Sequence, residues 1–144
     1  MHVVTEIVRV VMQLGAGAFA GACVYIALAQ HPVRMGLADA AALDDFRSTI
    51  PRAERLQAPL LVVTLVATAL SLVLTFRGPV LVGGVLLLAV LVQTIVTVLP
   101  VNARLLSGAA ADHVGEARTA LSRWGALHTV RTAVAVLGAV LVLL

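Results

Sequence analysis

Three stretches of this chain, residues 10–33, 56–76 and 78–103, contain no Asp, Glu, Lys or Arg. Each is long enough to cross a hydrocarbon core of about 30 Å, which takes roughly 20 helical residues. A fourth apolar stretch, 132–144, is too short alone. It reaches spanning length if its helix begins near Ser122 and carries Trp124, His128 and Arg131 inside it. A half-span would leave backbone carbonyls unpaired in lipid, so the longer helix is the expectation. The chain is therefore read as all-α, a single integral membrane four-helix bundle over residues 1–144. Its spans are expected at about 8–31, 56–76, 79–101 and 122–144.

Composition fits that reading. Only 12% of residues are charged, about half of the roughly 25% that a soluble domain uses to cover its surface. The single Cys23 excludes a disulfide framework or a cysteine-based metal site within one chain. The first apolar run has an alternative reading as a signal peptide cleaved after Ala27-x-Ala29, but its apolar part exceeds the usual h-region. Every basic residue is Arg, which together with the Ala, Val and Leu bias points to GC-rich coding and a bacterial source.

Ten arginines against seven carboxylates act here as a topology signal, with no nucleic-acid footprint implied. Arg34, Arg47, Arg52, Arg55, Arg104, Arg118 and Arg123 fall in the connections after spans one and three; Arg9 and Arg77 fall on the opposite side. The positive-inside rule puts the long connections in the cytoplasm and both termini outside, in a bacterial inner membrane. Residues 36–50 are expected to form a short interfacial helix ended by Pro51, and Pro32 is expected to end span one. Asp112 is the expected N-cap of the last helix, and Gly78-Pro79 a tight turn.

Antiparallel packing gathers the polar residues at one membrane face: His31, Arg52, Gln57, Asn102, Trp124, His128 and Arg131. Trp124, His128 and Arg131 lie at i, i+4 and i+7 and share one helical stripe. An Arg inside a span normally faces the bundle interior, where it finds partners; the alternative is a snorkelling side chain reaching back to the headgroups. His31 beside Pro32 also reads as an ordinary interfacial residue, and Asn102 as a chain-turning one. Gln93, Thr94 and Thr97 read as interhelical glue, and Gly17-xxx-Gly21 as a close helix contact. No carboxylate lies in the middle of any span, which argues against a proton-coupled exporter. No phosphate loop, zinc signature or nucleophile elbow occurs.

Three motifs carry a family resemblance: Gln30-His31-Pro32, the run Leu99-Pro100-Val101-Asn102-Ala103-Arg104-Leu105, and the segment from Arg123-Trp124 through His128 to Arg131-Thr132. With them the chain resembles a family of small four-span proteins that includes the anthrone oxygenases, which oxidise the central methylene of a polyphenolic anthrone to a ketone. The resemblance implies an oxygenase acting on a flat, electron-rich aromatic. His128 or His31 would be the base, Arg131 would stabilise the oxyanion, and Asn102 would orient it. Trp124 would wall a flat ring, with Gln57 and Arg52 as further substrate-binding candidates. A base with the ordinary His pKa of about 6.5 would make activity fall as pH drops through that value.

Cofactor use stays open. The variant to a cofactor-free site has His31 and His128 binding a metal or haem. The competing functions are a non-enzymatic accessory, scaffold or transport-associated membrane protein, and a quinone-binding oxidoreductase subunit. The expected partners are the lipid bilayer and a small hydrophobic aromatic substrate, with association of copies into a homo-oligomer left open.

Overall fold

A computed structural model describes residues 2–107 and 114–144. Four helices account for almost all of them: α1 (His2–Met35), α2 (Asp39–Leu74), α3 (Gly78–Leu106) and α4 (Val114–Leu143). All four contain stretches long and apolar enough to cross a membrane, and no strand occurs among the described residues. The protein is an integral membrane four-helix bundle. Asp112, the expected cap of α4, lies outside the described residues.

Successive helices run antiparallel and close into a ring. Helix α1 packs broadly on α2 and α4, and α3 on α4, while the seam between α2 and α3 is thinner. Arginines tie down the connections. Arg118 of α4 pairs with Asp39 at 2.6 Å and donates to the carbonyls of Met35 and Leu37. It thereby closes the exposed end of α1 against the start of α2. At the other end of the bundle, Arg77 donates to the Leu144 carbonyl.

The segment ahead of Ala27 is part of the bundle, since Met12, Ala16, Phe19 and Cys23 are buried in its core. Close helix approach rests on other glycines than the sequence suggested. Gly17 and Gly21 face outward, with nothing within 4 Å of a Cβ placed on them. The close contact is Gly15, where a Cβ would collide with the Thr64 hydroxyl. Two residues of helix turn through about 200°, so a chain that points Gly15 inward must point Gly17 out. On the opposite side of the bundle, a Cβ on Gly83 would meet the Gly138 carbonyl at 2.7 Å. There α3 and α4 touch backbone to backbone, the arrangement that favours small residues in membrane helices.

Neither expected proline stop occurs. Helix α1 continues through Pro32 to Met35, and α2 runs unbroken through Pro51 and Pro59. The continuation through Pro32 has a visible cause. A proline ring clashes with the carbonyl four residues back in a regular helix; here residues Ile26–Gln30 widen into a π-turn, and the His31 N–H reaches the Ile26 carbonyl. Helix α3 repeats the device in the same register, with a π-turn at Thr94–Val98 placed just before Pro100. Such π-turns are frequent at functional sites.

Candidate functional site

Both π-turns border one internal cavity of about 250 Å³, near the small end of ordinary ligand pockets. Apolar side chains from α2 and α3 form most of its wall, including Ile50, Leu61, Leu91 and Ile95, and Ile26 of α1 closes one corner. Trp124, His128 and Arg131 of α4 supply its polar floor, joined by Glu54, Gln57 and Asn102. The i, i+4, i+7 stripe thus faces inward, which removes the snorkelling alternative for Arg131, only 7% exposed.

The floor is a connected set. Glu54 and Gln57 lie one turn apart on α2 and share a face. The Glu54 carboxylate accepts a hydrogen bond from Asn102 Nδ2. Asn102 Oδ1 accepts one from Trp124 Nε1 at 2.6 Å. With both ends of its amide engaged, Asn102 has a fixed orientation and fixes the plane of the indole. The indole stacks on the His128 imidazole, with ring centroids 4.9 Å apart and planes 6° from parallel. His128 Nε2 lies 3.2 Å from the Cys23 carbonyl oxygen. A carbonyl only accepts, so Nε2 carries the hydrogen and the neutral ring leaves Nδ1 as a bare acceptor. That Nδ1 is buried and has no hydrogen-bond partner.

Arg131 is the second incompletely satisfied group. One of its terminal nitrogens donates to Gln57 Oε1 at 3.0 Å, and its Cζ sits 5.4 Å from the centre of the Phe19 ring. Its Nε is buried without a partner, and among the described residues no carboxylate lies at ion-pair distance. A cation held in a membrane span costs a few kcal/mol. One amide and one ring face offset only part of that cost. An acidic Nδ1-facing donor and an oxyanion are what these two groups lack.

Other expected site residues are placed elsewhere. His31 does not line the cavity; it packs against Trp124, with ring centroids 5.3 Å apart, and over Gly125, where a Cβ would collide with its Nε2. Arg52 is exposed and also stands outside the cavity lining. For a metal, no group of three His, Cys, Asp or Glu side chains converges among the described residues. That variant rests on His31 and His128 alone, with His128 Nε2 already held by the Cys23 carbonyl. Gln93 does link helices, donating to the Leu127 carbonyl at 3.1 Å, whereas Thr94 and Thr97 bond within their own helix.

One charged residue has no clear signal in the sequence, and a second, Arg34, reads there only as one of the arginines after span one. Glu54 sits between Arg52 and Arg55 and looks like part of a solvated connection; only its spacing of three from Gln57 hints at a shared face. Arg34 is fully buried, paired with Asp45 at 2.7 Å and donating to Thr49 at 2.8 Å. Its guanidinium lies over the Phe46 and Trp124 rings, 5.2 and 5.7 Å from their centres. It braces Trp124 from outside the cavity and has no place on its wall.

Fold and site together define a small transmembrane protein with a mostly apolar internal cavity, floored by a histidine and an incompletely paired arginine. The chain belongs to the anthrone oxygenase family, whose sequence model matches residues 46–141. The match takes in every polar floor residue from Glu54 to Arg131 and leaves out His31. No curated protein and no solved structure matches the chain.

Proposed function

We propose that this protein is a membrane-embedded oxygenase of flat, electron-rich aromatics of the anthrone or phenol type. The observation that carries the reading is the pair of unpartnered buried groups on one cavity wall, His128 Nδ1 and Arg131 Nε. One accepts a proton and the other favours a negative oxygen, which is what deprotonating an activated methylene beside a carbonyl requires. His128 Nδ1 takes one proton from the methylene, and the resulting charge is held on the carbonyl oxygen facing Arg131. The carbanion bonds to dioxygen, and the distal oxygen takes up the proton from His128. Loss of the second methylene hydrogen with cleavage of the O–O bond leaves a ketone and releases water. One oxygen atom enters the product and the other leaves as water, so dioxygen is the sole oxidant.

In this reading Glu54, Asn102 and Trp124 position the imidazole and make no contact with the reacting atoms. Gln57 orients the guanidinium. The arginine asymmetry between the two ends of the helices supports an orientation with the cavity toward the cytoplasmic face of a bacterial inner membrane and both termini outside.

The test is oxygen uptake by detergent-purified protein supplied with emodin anthrone, with metal and chromophore analysis of the same sample. Uptake is expected, with a loss of about 10²- to 10⁴-fold in His128→Ala and none in Arg9→Ala, on the exposed opposite end. Uptake that survives in His128→Ala removes the base from this account. No uptake by the intact protein favours an accessory or quinone-binding role.

A further inference from the structure

The wall of the cavity is not equally closed on all sides. Its residues come chiefly from α2 and α3, the neighbouring pair with the thinnest mutual packing. That seam is shut at two heights. Toward the α2–α3 turn, Gly84 lies so close to Thr68 that a Cβ would meet the threonine methyl at 2.9 Å. Toward the polar end, Asn102 donates to Glu54, and Arg47 Nε donates to the Leu105 carbonyl at 3.1 Å. Thr68 and Glu54 are fourteen residues apart, so the interval between the closures is about 21 Å of helix. Within it the lips are Ala58 on α2 and Ile95 and Leu99 on α3. All three are exposed, Ile95 at 55%. They lie within helices that cross the membrane, so what faces the opening is hydrocarbon.

We propose that the cavity is filled from the bilayer, sideways through a window between α2 and α3, and that a lipid acyl chain occupies it when no other ligand does. Three observations converge on that occupant. The window is bordered by apolar side chains, the small side chain of Ala58 leaves one lip low, and the hydrogen bonds from Asn102 to Glu54 and from Arg47 to the Leu105 carbonyl shut the seam on the headgroup side. A ligand dissolved in the membrane would displace the chain and reach His128 and Arg131 without crossing water. The inference rests on the membrane fold and the cavity alone, and it stands or falls separately from the oxygenase reading.

Trp124 is the sole tryptophan and lines the cavity while only 2% exposed. The full-length protein is reconstituted into phosphatidylcholine vesicles with plain or brominated acyl chains, and tryptophan emission is compared. Acrylamide serves as the water-soluble quencher. Brominated chains are expected to quench Trp124 strongly, acrylamide hardly at all, and Ala58→Phe is expected to lose the lipid quenching by filling the window. If Ala58→Phe does not fold, Ala58→Leu makes the same test from the same lip. Quenching by acrylamide but not by brominated lipid would overturn the proposal. So would lipid quenching that persists unchanged when the window is filled.

Discussion

The two ends of the bundle are held together by opposite means. Toward the α2–α3 turn the helices close over glycine: Gly83 abuts the Gly138 backbone, Gly15 abuts the Thr64 hydroxyl, and the core around them is Met12, Phe19, Leu87 and Val142. Toward the polar end, a second core of Phe46, Leu105, Leu121 and Trp124 surrounds buried charges and leaves a cavity beside them. Even within that end the two buried arginines differ. Arg34 has a carboxylate, a hydroxyl and two ring faces; Arg131 has one amide and one ring face. Close packing supplies stability at one end, and incomplete pairing leaves binding capacity at the other.

This contrast can be broken at graded points. The largest stability loss is expected for Gly83→Leu, which forces apart helices with no room for a Cβ. It should cost about 3 kcal/mol, read as a lowered Tm in detergent, while Gly17→Leu in open space leaves Tm where it was. Arg34→Met should cost about 2 kcal/mol, because Asp45 loses its partner yet is exposed enough to reach water. The same measurement checks it, and an unchanged Tm would make Arg34 as dispensable to folding as Arg131. Glu54→Leu should cost about 1 kcal/mol by freeing the Asn102 amide. Its sharper signature is a change in the near-ultraviolet circular dichroism of Trp124 together with a fall in kcat, which Glu54→Gln, still able to accept from Asn102, should largely restore.

Much of the fold is legible in the sequence because lipid allows so few alternatives. A span must be uncharged and long, so residues 56–76 and 78–103 announce themselves. The stripe of Trp124, His128 and Arg131 is legible for a similar reason: helical spacing alone puts them on one face, and charge in a span seeks the interior. What hydropathy does not register is depth and local geometry. Pro32 and Pro51 read as stops, yet a widened turn ahead of Pro32 lets α1 continue, and α2 passes through Pro51. With Pro51 read as a stop, Glu54 falls among solvated residues, and its hydrogen bond to Asn102, forty-eight positions away, has no local signal. Gly15 and Gly17 differ only in which way the helix happens to face, which packing against Thr64 decides.

The central claim is that Arg131 is held for a ligand and contributes nothing to holding the bundle. Arg131→Met tests it directly, by Tm and oxygen uptake on the same preparation. Replacing a poorly paired buried charge with an apolar side chain of similar length should leave Tm unchanged or raise it, while uptake with emodin anthrone falls by about 10²-fold or more. A Tm lowered as far as in Arg34→Met, with activity retained in the fraction that stays folded, would make Arg131 a structural residue and contradict the account.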